Sequence, residues 1–458
     1  MLPSQFIRSL VAIFFLFLLA AGSLPAATYY VAPAGLNSNP GTFARPWKTI
    51  QRAANTLKPG DTLLVRTGTY QEAVTVNVSG NSTASGTITF ANYPGETPVV
   101  DGSTLTVPDD IYSALFYIQD HSYITIQGFD LRNYATNDIA ATPAAVFITG
   151  ASSFIKIKRC GIHGIRNMGG NIDNSGNAFA IAVYGSSATP CTGIAINGNN
   201  VYDCKTGSSE TVTLNGNVAN FEVTNNLVHD NNNIGIDFIG YEGTCPVPAQ
   251  DRARTGICQG NTVWNISSQG NQAYSNGDYS ADGLYVDGGT GIVIQQNTSY
   301  DNDIGVELAS EHSGKFTSDI TLQDNTVYSC RQGALLVGGY AATGTGGTEG
   351  CTINGNTFWH DDTLQWGIGE MQLRWRTSKC AISNNTMVAG PGNYLVTVPV
   401  SSANNVANSL DYNDYYSAAG SAAAQWIWNN RTCTGFAAWK SVSLQDAHSR
   451  FANPNINP

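Results

Sequence analysis

Short runs of alternating apolar and polar residues recur along this chain, each closing on asparagine. The pattern reads Ile194-Ala-Ile-Asn-Gly-Asn-Asn200, Phe221-Glu-Val-Thr-Asn-Asn226, Gly256-Ile-Cys-Gln-Gly-Asn261 and Ile292-Val-Ile-Gln-Gln-Asn297. It continues as Ile320-Thr-Leu-Gln-Asp-Asn325, Cys351-Thr-Ile-Asn-Gly-Asn356 and Cys380-Ala-Ile-Ser-Asn-Asn385, with weaker copies at Ile124–Phe129 and Ile155–Cys160. A period of two marks strands. The copies recur roughly every 26 to 36 residues, a spacing typical of solenoids. After the asparagine a second short strand usually follows, as in Ile234-Gly-Ile-Asp-Phe or Ile304-Gly-Val-Glu-Leu. Two or three short strands per repeat amount to one coil of a parallel β-helix. The repeated asparagine is expected to stack on its copies, linking coils through its amide and holding the left-handed or bridge conformation of the turn. The expected fold is all-β: a right-handed parallel β-helix of roughly ten coils.

A solenoid must blunt both ends. At the start, Pro46-Trp-Lys-Thr-Ile50 opens a helical pattern with Ile50, Ala53, Ala54 and Leu57 on one face. Lys58-Pro59-Gly60 stops it, and a strand at 62–66 and a turn at 67–70 follow. At the other end, Phe436 to Ser449 suggests a closing helix and tail.

Composition narrows the setting. Charged residues make up 12 % of the chain, glycine numbers 48 and 42 % is hydrophobic, a balance that suits a turn-rich β protein with a large core. A net charge of −11 speaks against nucleic acid and anionic membranes as partners. Arg8 followed by the apolar run Leu10–Ala21 and small residues at Pro25-Ala26-Ala27 reads as a signal peptide over 1–27. The expected product is a secreted or periplasmic chain, 28–458, forming one β-helix domain without a membrane anchor. Nine cysteines fit an oxidising compartment and leave at least one unpaired. Cys245 and Cys258 are placed to close a loop, and Cys351 and Cys380, in matching places of successive repeats, to stack or bond.

The block Tyr29-Tyr-Val-Ala-Pro-Ala-Gly35, Asn39-Pro-Gly-Thr42, Pro46-Trp-Lys-Thr-Ile-Gln51, Gly60-Asp61 and Thr67-Gly-Thr-Tyr70 resembles the N-terminal cap of secreted bacterial β-helix proteins of the pectate-lyase-like superfamily. Trp439 and Asp446-Ala-His448-Ser449 resemble their tail. That superfamily holds lyases, hydrolases, epimerases and binding proteins, so the resemblance implies fold and compartment before activity.

Aligning the second strands on their shared glycine gives an outward column Asp237, Tyr285, Glu307, Leu335, Gln372 and a neighbour Ile239, Asp287, Ala309, Val337, Arg374. Glu311 and His312 lie just beyond. Coils stack about 4.8 Å apart, so Asp237, Asp287, Glu307 and Glu311 are expected to cluster on one exposed face. Like charges at that spacing raise one pKa, setting a protonated acid beside an ionised partner, as glycosidic cleavage requires. Tyr285, Tyr241, Tyr340, Trp366 and Trp375 could offer rings for sugars to pack on, Arg374 and Arg376 could bind substrate or neutralise the acids, and His312 could orient. Asp282 and Asp303 read as turn caps.

The segment Ala281-Asp-Gly-Leu-Tyr-Val-Asp-Gly288 followed by Ile304-Gly-Val-Glu-Leu-Ala-Ser-Glu-His312 resembles a motif of β-helix glycosidases, including the β-xylosidases of glycoside hydrolase family 120. The resemblance implies a retaining reaction with Asp287 as nucleophile and Glu311 or Glu307 as acid/base, although this chain lacks room for those enzymes' inserted domain. The leading expectation is a glycoside hydrolase acting on a plant or microbial polysaccharide without cofactor. The first rival is a lyase on uronates, in which Asp237, Asp287 and Glu307 would hold Ca²⁺ and Lys315 or Arg374 would be the base. The second is a non-catalytic carbohydrate-binding protein, for which Trp366 and Trp375 would matter more than the acids.

Overall fold

The computed structural model describes residues 26–109 and 112–456; the leader expected over 1–27 falls almost wholly outside them. Three long sheets run side by side from Thr28 to Phe451, and their strands pair in parallel with the equivalent strand of the next coil, except that the second sheet closes on an antiparallel hairpin, Gln425–Trp428 with Arg431–Thr434. The first sheet holds the Ile-x-Ile strands, such as Val293–Gln295 paired with Thr321–Gln323. The second holds the strands that follow the turn, Ile236–Ile239, Asp282–Asp287 and Ile304–Ala309 among them. The third carries strands such as Thr298–Tyr300 and Thr326–Tyr328. This is a right-handed parallel β-helix. Each sheet's path passes through thirteen strands, more coils than the ten expected, because the first and last coils lack the asparagine signature. No helix among the described residues is long and apolar enough to cross a membrane.

Inward residues of all three sheets fill one core with Ile, Val, Leu and Phe. Beneath the turn between the first and third sheets runs the asparagine ladder. Amide Nδ2 of Asn199, Asn226, Asn261, Asn297, Asn325, Asn356 and Asn385 each donates to Oδ1 of the next, at 2.9–3.1 Å, ending on Asn413. Asn413 Nδ2 then donates to Asp446 Oδ1 at 3.2 Å, so the tail closes the ladder. The left-handed conformation falls one residue earlier than expected, at Asn225, Gln296, Asp324 and Asn384, with φ between 54° and 56°. The ladder asparagine ties coils together; its predecessor bends the chain.

Asn325 shows what each rung does. Its Oδ1 accepts the backbone N–H and the amide of Asn297, and its Nδ2 also donates to Ile294 O at 2.9 Å. Replacing Asn325 with Ala strands several buried groups at ~1–3 kcal/mol each. A loss of about 3 kcal/mol or more is expected, read as a lower denaturant midpoint in equilibrium unfolding.

The capping helix is shorter than its apolar pattern suggested, Ile50–Ala54, although Ile50, Ala53, Ala54 and Leu57 are all buried against the first coil. Glu72 accepts from the N–H groups of Ile50 and Gln51 at 2.8 and 2.9 Å, and Thr49 caps Arg52. The expected turn at 67–70 is instead largely strand, Gly68–Tyr70, the first of the third sheet. At the far end, helix Phe436–Ser443 buries Trp439, whose Nε1 donates to Asp446 Oδ2 at 2.8 Å. All nine cysteines are free and buried. Cys245 and Cys258 do not close a loop: Cys258 faces the interior beside Asn261, while Cys245 sits in the loop held by Asp251. Cys351 and Cys380 stack as thiols one coil apart.

Candidate active site

The second sheet's outward column runs Tyr117, Phe147, Ala182, Thr213, Asp237, Tyr285, Glu307, Leu336, Gln372. In this column one position differs from the sequence alignment. Glu307 pairs with Leu336, not Leu335, because Gly333 lies opposite Ile304 and not opposite Gly305; Leu335 and Val337 therefore point into the core. Asp237, Tyr285 and Glu307 hold their places and Asp287 lies opposite Ala309, whereas Ile239 bridges Gly288 and Val337 pairs with Leu308 and Leu373, which takes Ile239, Val337 and Arg374 out of the expected second column.

The face is not exposed. Asp237, Asp287 and Glu307 are 2 %, 4 % and 5 % exposed, because loops fold over these strands. Ser268 N and Oγ both donate to the buried Asp303 carboxylate, which also pairs with Arg331 at 3.3 Å. That anchor holds the loop bearing Tyr274 and Ser280 across the sheet, so Asp303 serves as a cap. Asp282 does not: it is a cleft residue. It lines a cleft of about 310 Å³ with Ile234, Tyr274, Tyr285, Ile304, Glu307, Glu311, Gln332, Tyr340 and Arg374. Ile234, Asp282 and Ile304 each precede the shared glycine, so the strand entry supplies one wall and the outward column the floor.

Charge in this cleft is divided. Arg374 Nη1 lies 3.0 Å from Glu307 Oε1, and Gln372 Oε1 accepts from Arg374 Nε at 3.0 Å. Burial raises the Glu307 carboxyl, while Arg374 and a hydrogen bond from Asp282 pull it back. Asp282 is driven well above the carboxylate range by burial and by the Glu307 charge, and among the described residues nothing of opposite charge is bonded to it as Arg374 is to Glu307. On the other side, Asp287 Oδ1 accepts from Glu311 N at 2.7 Å. Burial, then repulsion from Glu311, pushes Asp287 far up. Glu311 at the rim rises through burial and through repulsion from Glu307 and Glu242, eased by a hydrogen bond from Tyr285. Asp237, likewise pushed up by burial and Glu210, has an Oδ1 with no partner. The cleft thus sets a carboxylate anchored by an arginine against a carboxyl pair that retains a proton.

The remaining candidates lie elsewhere. Trp375 packs on the core and pairs its backbone with Gly339. Trp366 is exposed and meets Tyr279 edge-on, outside the cleft lining. His312 turns away with the loop that returns to Lys315, its Nε2 buried without a partner. Tyr241 faces Arg252 and Lys315, the latter 5.2 Å from its ring centroid, which removes Lys315 as a cleft base. Among the described residues no three acidic, histidine or cysteine side chains converge as a cation site, and Arg374 already neutralises Glu307, so the residues present do not fit the Ca²⁺ of the lyase reading.

Sequence reasoning missed a second, adjoining cleft of about 660 Å³, lined by Tyr112, Phe179, Tyr184, Glu210, Glu242 and Thr244 among others. Glu210 stands one strand entry before Ile234 and Asp282, but Thr211 takes the place of the shared glycine there, so the glycine frame does not mark it. The loop bearing Glu242 carries no periodic signal.

Coil, ladder and covered acidic cleft define a right-handed parallel β-helix protein. Residues 29–190 match the Pel9A-like right-handed β-helix region. The chain is 36 % identical over 425 residues to YwoF of Bacillus subtilis (strain 168), covering 93 % of this chain and 87 % of that protein; it belongs to the same family. A shorter stretch of 116 residues is 31 % identical to pectate lyase PEL9 of Emericella nidulans, covering 24 % of this chain and 28 % of the lyase. Among solved structures, the GH136 lacto-N-biosidase of Eubacterium ramulus superposes with a TM-score of 0.53 at 13 % identity, over 93 % of this chain and 67 % of that one. The complex of XylC with xylose gives 0.50 at 12 % identity, over 94 % and 87 %. These two likenesses are of fold.

Proposed function

We propose that this protein is a glycoside hydrolase acting on a polysaccharide or oligosaccharide in the covered cleft. The observation that carries the reading is a pair of unlike carboxyl environments in one cleft. Glu307, ion-paired to Arg374, faces the same cleft as Glu311, which lies at the rim with no cation bonded to it among the described residues and whose pKa is raised by desolvation and by Glu307 and Glu242. Glycosidic cleavage needs one carboxylate charged and one protonated. Glu311 presents the proton to the leaving oxygen, and Asp287 positions it by accepting from the Glu311 backbone N–H. Glu307 attacks the anomeric carbon or activates water. Asp282, bonded to Glu307, is a positioning residue. This exchanges the roles that the motif resemblance gave Asp287 and the glutamates, because Asp287 is the more deeply buried and the more strongly protonated. Tyr285 and Tyr340 offer ring surfaces for the sugar, and Asp237 a further polar contact. The reaction uses no metal. An exported chain, freed of the leader over 1–27, would meet such polymers outside the cytoplasm.

Similarity to a pectate lyase over part of the chain supports carbohydrate as the substrate class and supplies the competing chemistry. Product analysis on a polysaccharide panel, with and without a chelator, separates them. New reducing ends without absorbance near ~235 nm, insensitive to chelation, are the expected result. Ultraviolet-absorbing unsaturated uronates that vanish on chelation would replace the hydrolase with a Ca²⁺-dependent lyase. Binding without any product would leave a carbohydrate-binding protein.

A further inference from the structure

Outside the main core, a second apolar cluster sits on the outward face of the second sheet: Ala114, Ala144, Phe147, Phe179 and Ala182, with Tyr117 and Tyr184 packed against it. A solvated sheet face has no packing reason to collect aromatics there. Tyr112 stacks on Phe147 at 4.3 Å between centroids, Phe147 on Tyr184 at 5.3 Å, and Phe179 meets Tyr184 edge-on at 5.7 Å. Tyr112, Phe179 and Tyr184 line the larger cleft, and Glu210 and Glu242 complete it. Asn215 Nδ2 donates to Glu242 Oε2 at 2.8 Å and is itself fixed by Thr244 Oγ1.

No lysine, arginine or histidine lines this cleft among the described residues. Two carboxylates beside an aromatic wall, without a cation of the protein's own, repel an anionic ligand and favour a cationic one. Glu210 is pushed up to about 8, first by burial and then by Glu242.

We propose that the cleft formed by Tyr112, Phe179, Tyr184, Glu210 and Glu242 is a subsite for an amine-bearing sugar unit of the polymer cut at Glu307. The inference rests on the hydrolase reading for the second half of that statement and on the cleft's own chemistry for the first. Three coil steps separate the strand Phe179–Gly185 from Asp282–Asp287, about 14 Å at the spacing of stacked strands. One oligosaccharide can therefore reach from the aromatic wall to the carboxylates on the same sheet. The ammonium would sit between Glu210 and Glu242 while the apolar face of its ring rests on Tyr184 and Tyr112.

The test is calorimetric titration of the full chain carrying Glu307→Gln, to prevent turnover. The probes are the β-linked glucosamine tetramer, its fully N-acetylated counterpart and a galacturonate tetramer. Binding of the free amine at least tenfold tighter than the acetylated tetramer is expected, with the galacturonate weakest. Adding Glu242→Gln, which can still accept from Asn215, is expected to reduce the preference below threefold without changing affinity for the acetylated tetramer. Equal binding of the two tetramers would overturn the inference, as would an undiminished preference in the Glu242→Gln protein. So would an equal loss in Glu222→Gln, an exposed acid on the first sheet, which would mark general attraction to an acidic protein. Amine preference in a wild-type protein that cleaves nothing would sink the hydrolase reading alone. Cleavage of a neutral polymer without amine preference would sink the subsite alone.

Discussion

Glu307→Gln is expected to lower kcat by ~10³-fold or more, with KM little changed and the fold intact. The size follows from removing the one carboxylate whose charge the site maintains; loss of a positioned acid–base group costs 10²–10⁴-fold on its own, and loss of an attacking group more. Glutamine keeps the shape, and its carbonyl oxygen can still accept from Arg374 at the position of Glu307 Oε1. Asp282 would then lose the charge that raises it and face a neutral amide. Steady-state kinetics beside a thermal melt would separate the chemical loss from misfolding. An unchanged kcat would remove Glu307 from the reaction and with it the assignment of Glu311 as acid.

Arg374→Met is expected to act on stability and on pH together. Removing one partner of a buried ion pair leaves the other charge uncompensated, at ~3–5 kcal/mol. Glu307 can escape that cost only by taking up a proton. The sign follows directly: Arg374 holds the Glu307 pKa down against burial, so without it the pKa rises, the ionised fraction at a given pH falls, and the acid limb of kcat/KM moves to higher pH. A shift of about one unit or more is expected, with a matching loss of activity at neutral pH that alkaline buffer partly restores. Stability of the variant should fall further as pH rises through the new Glu307 pKa, because the unfolded chain ionises freely there. An acid limb that stays in place would mean that another group controls it.

Much of this arrangement is legible in the sequence because a coil repeats its own frame. Ile-x-Ile-x-x-Asn names the first sheet and its ladder, and the shared glycine places Asp237, Tyr285, Asp287 and Glu307 on neighbouring strands. The frame slips where a glycine changes role: Gly333 lies opposite Ile304, which turned Leu335 and Val337 inward. It also gave Asp282 the role of a turn cap, since a carboxylate before glycine is the commonest turn signal and only the folded loops show it beside Glu307. Those loops were the unreadable part. Tyr274, Tyr340 and Glu242 lie in stretches without periodicity, so nothing local says that they return over the second sheet and bury a face that alternation alone leaves in water. Trp366 and Trp375 illustrate the converse: aromatic residues near a site in sequence, one on the surface and one against the core.

The ladder that ends on Asp446 has a consequence for how such a protein can diversify. Its pitch is fixed by amide contacts beneath the turns, while the loops that fold over the second sheet contribute nothing to it. Loops can therefore be lengthened, shortened or replaced as interchangeable fittings on a frame whose spacing does not respond. Glu307 and Asp237, two strands apart on one floor, keep their separation through such changes. What would vary from one relative to the next is which polymer the loops admit.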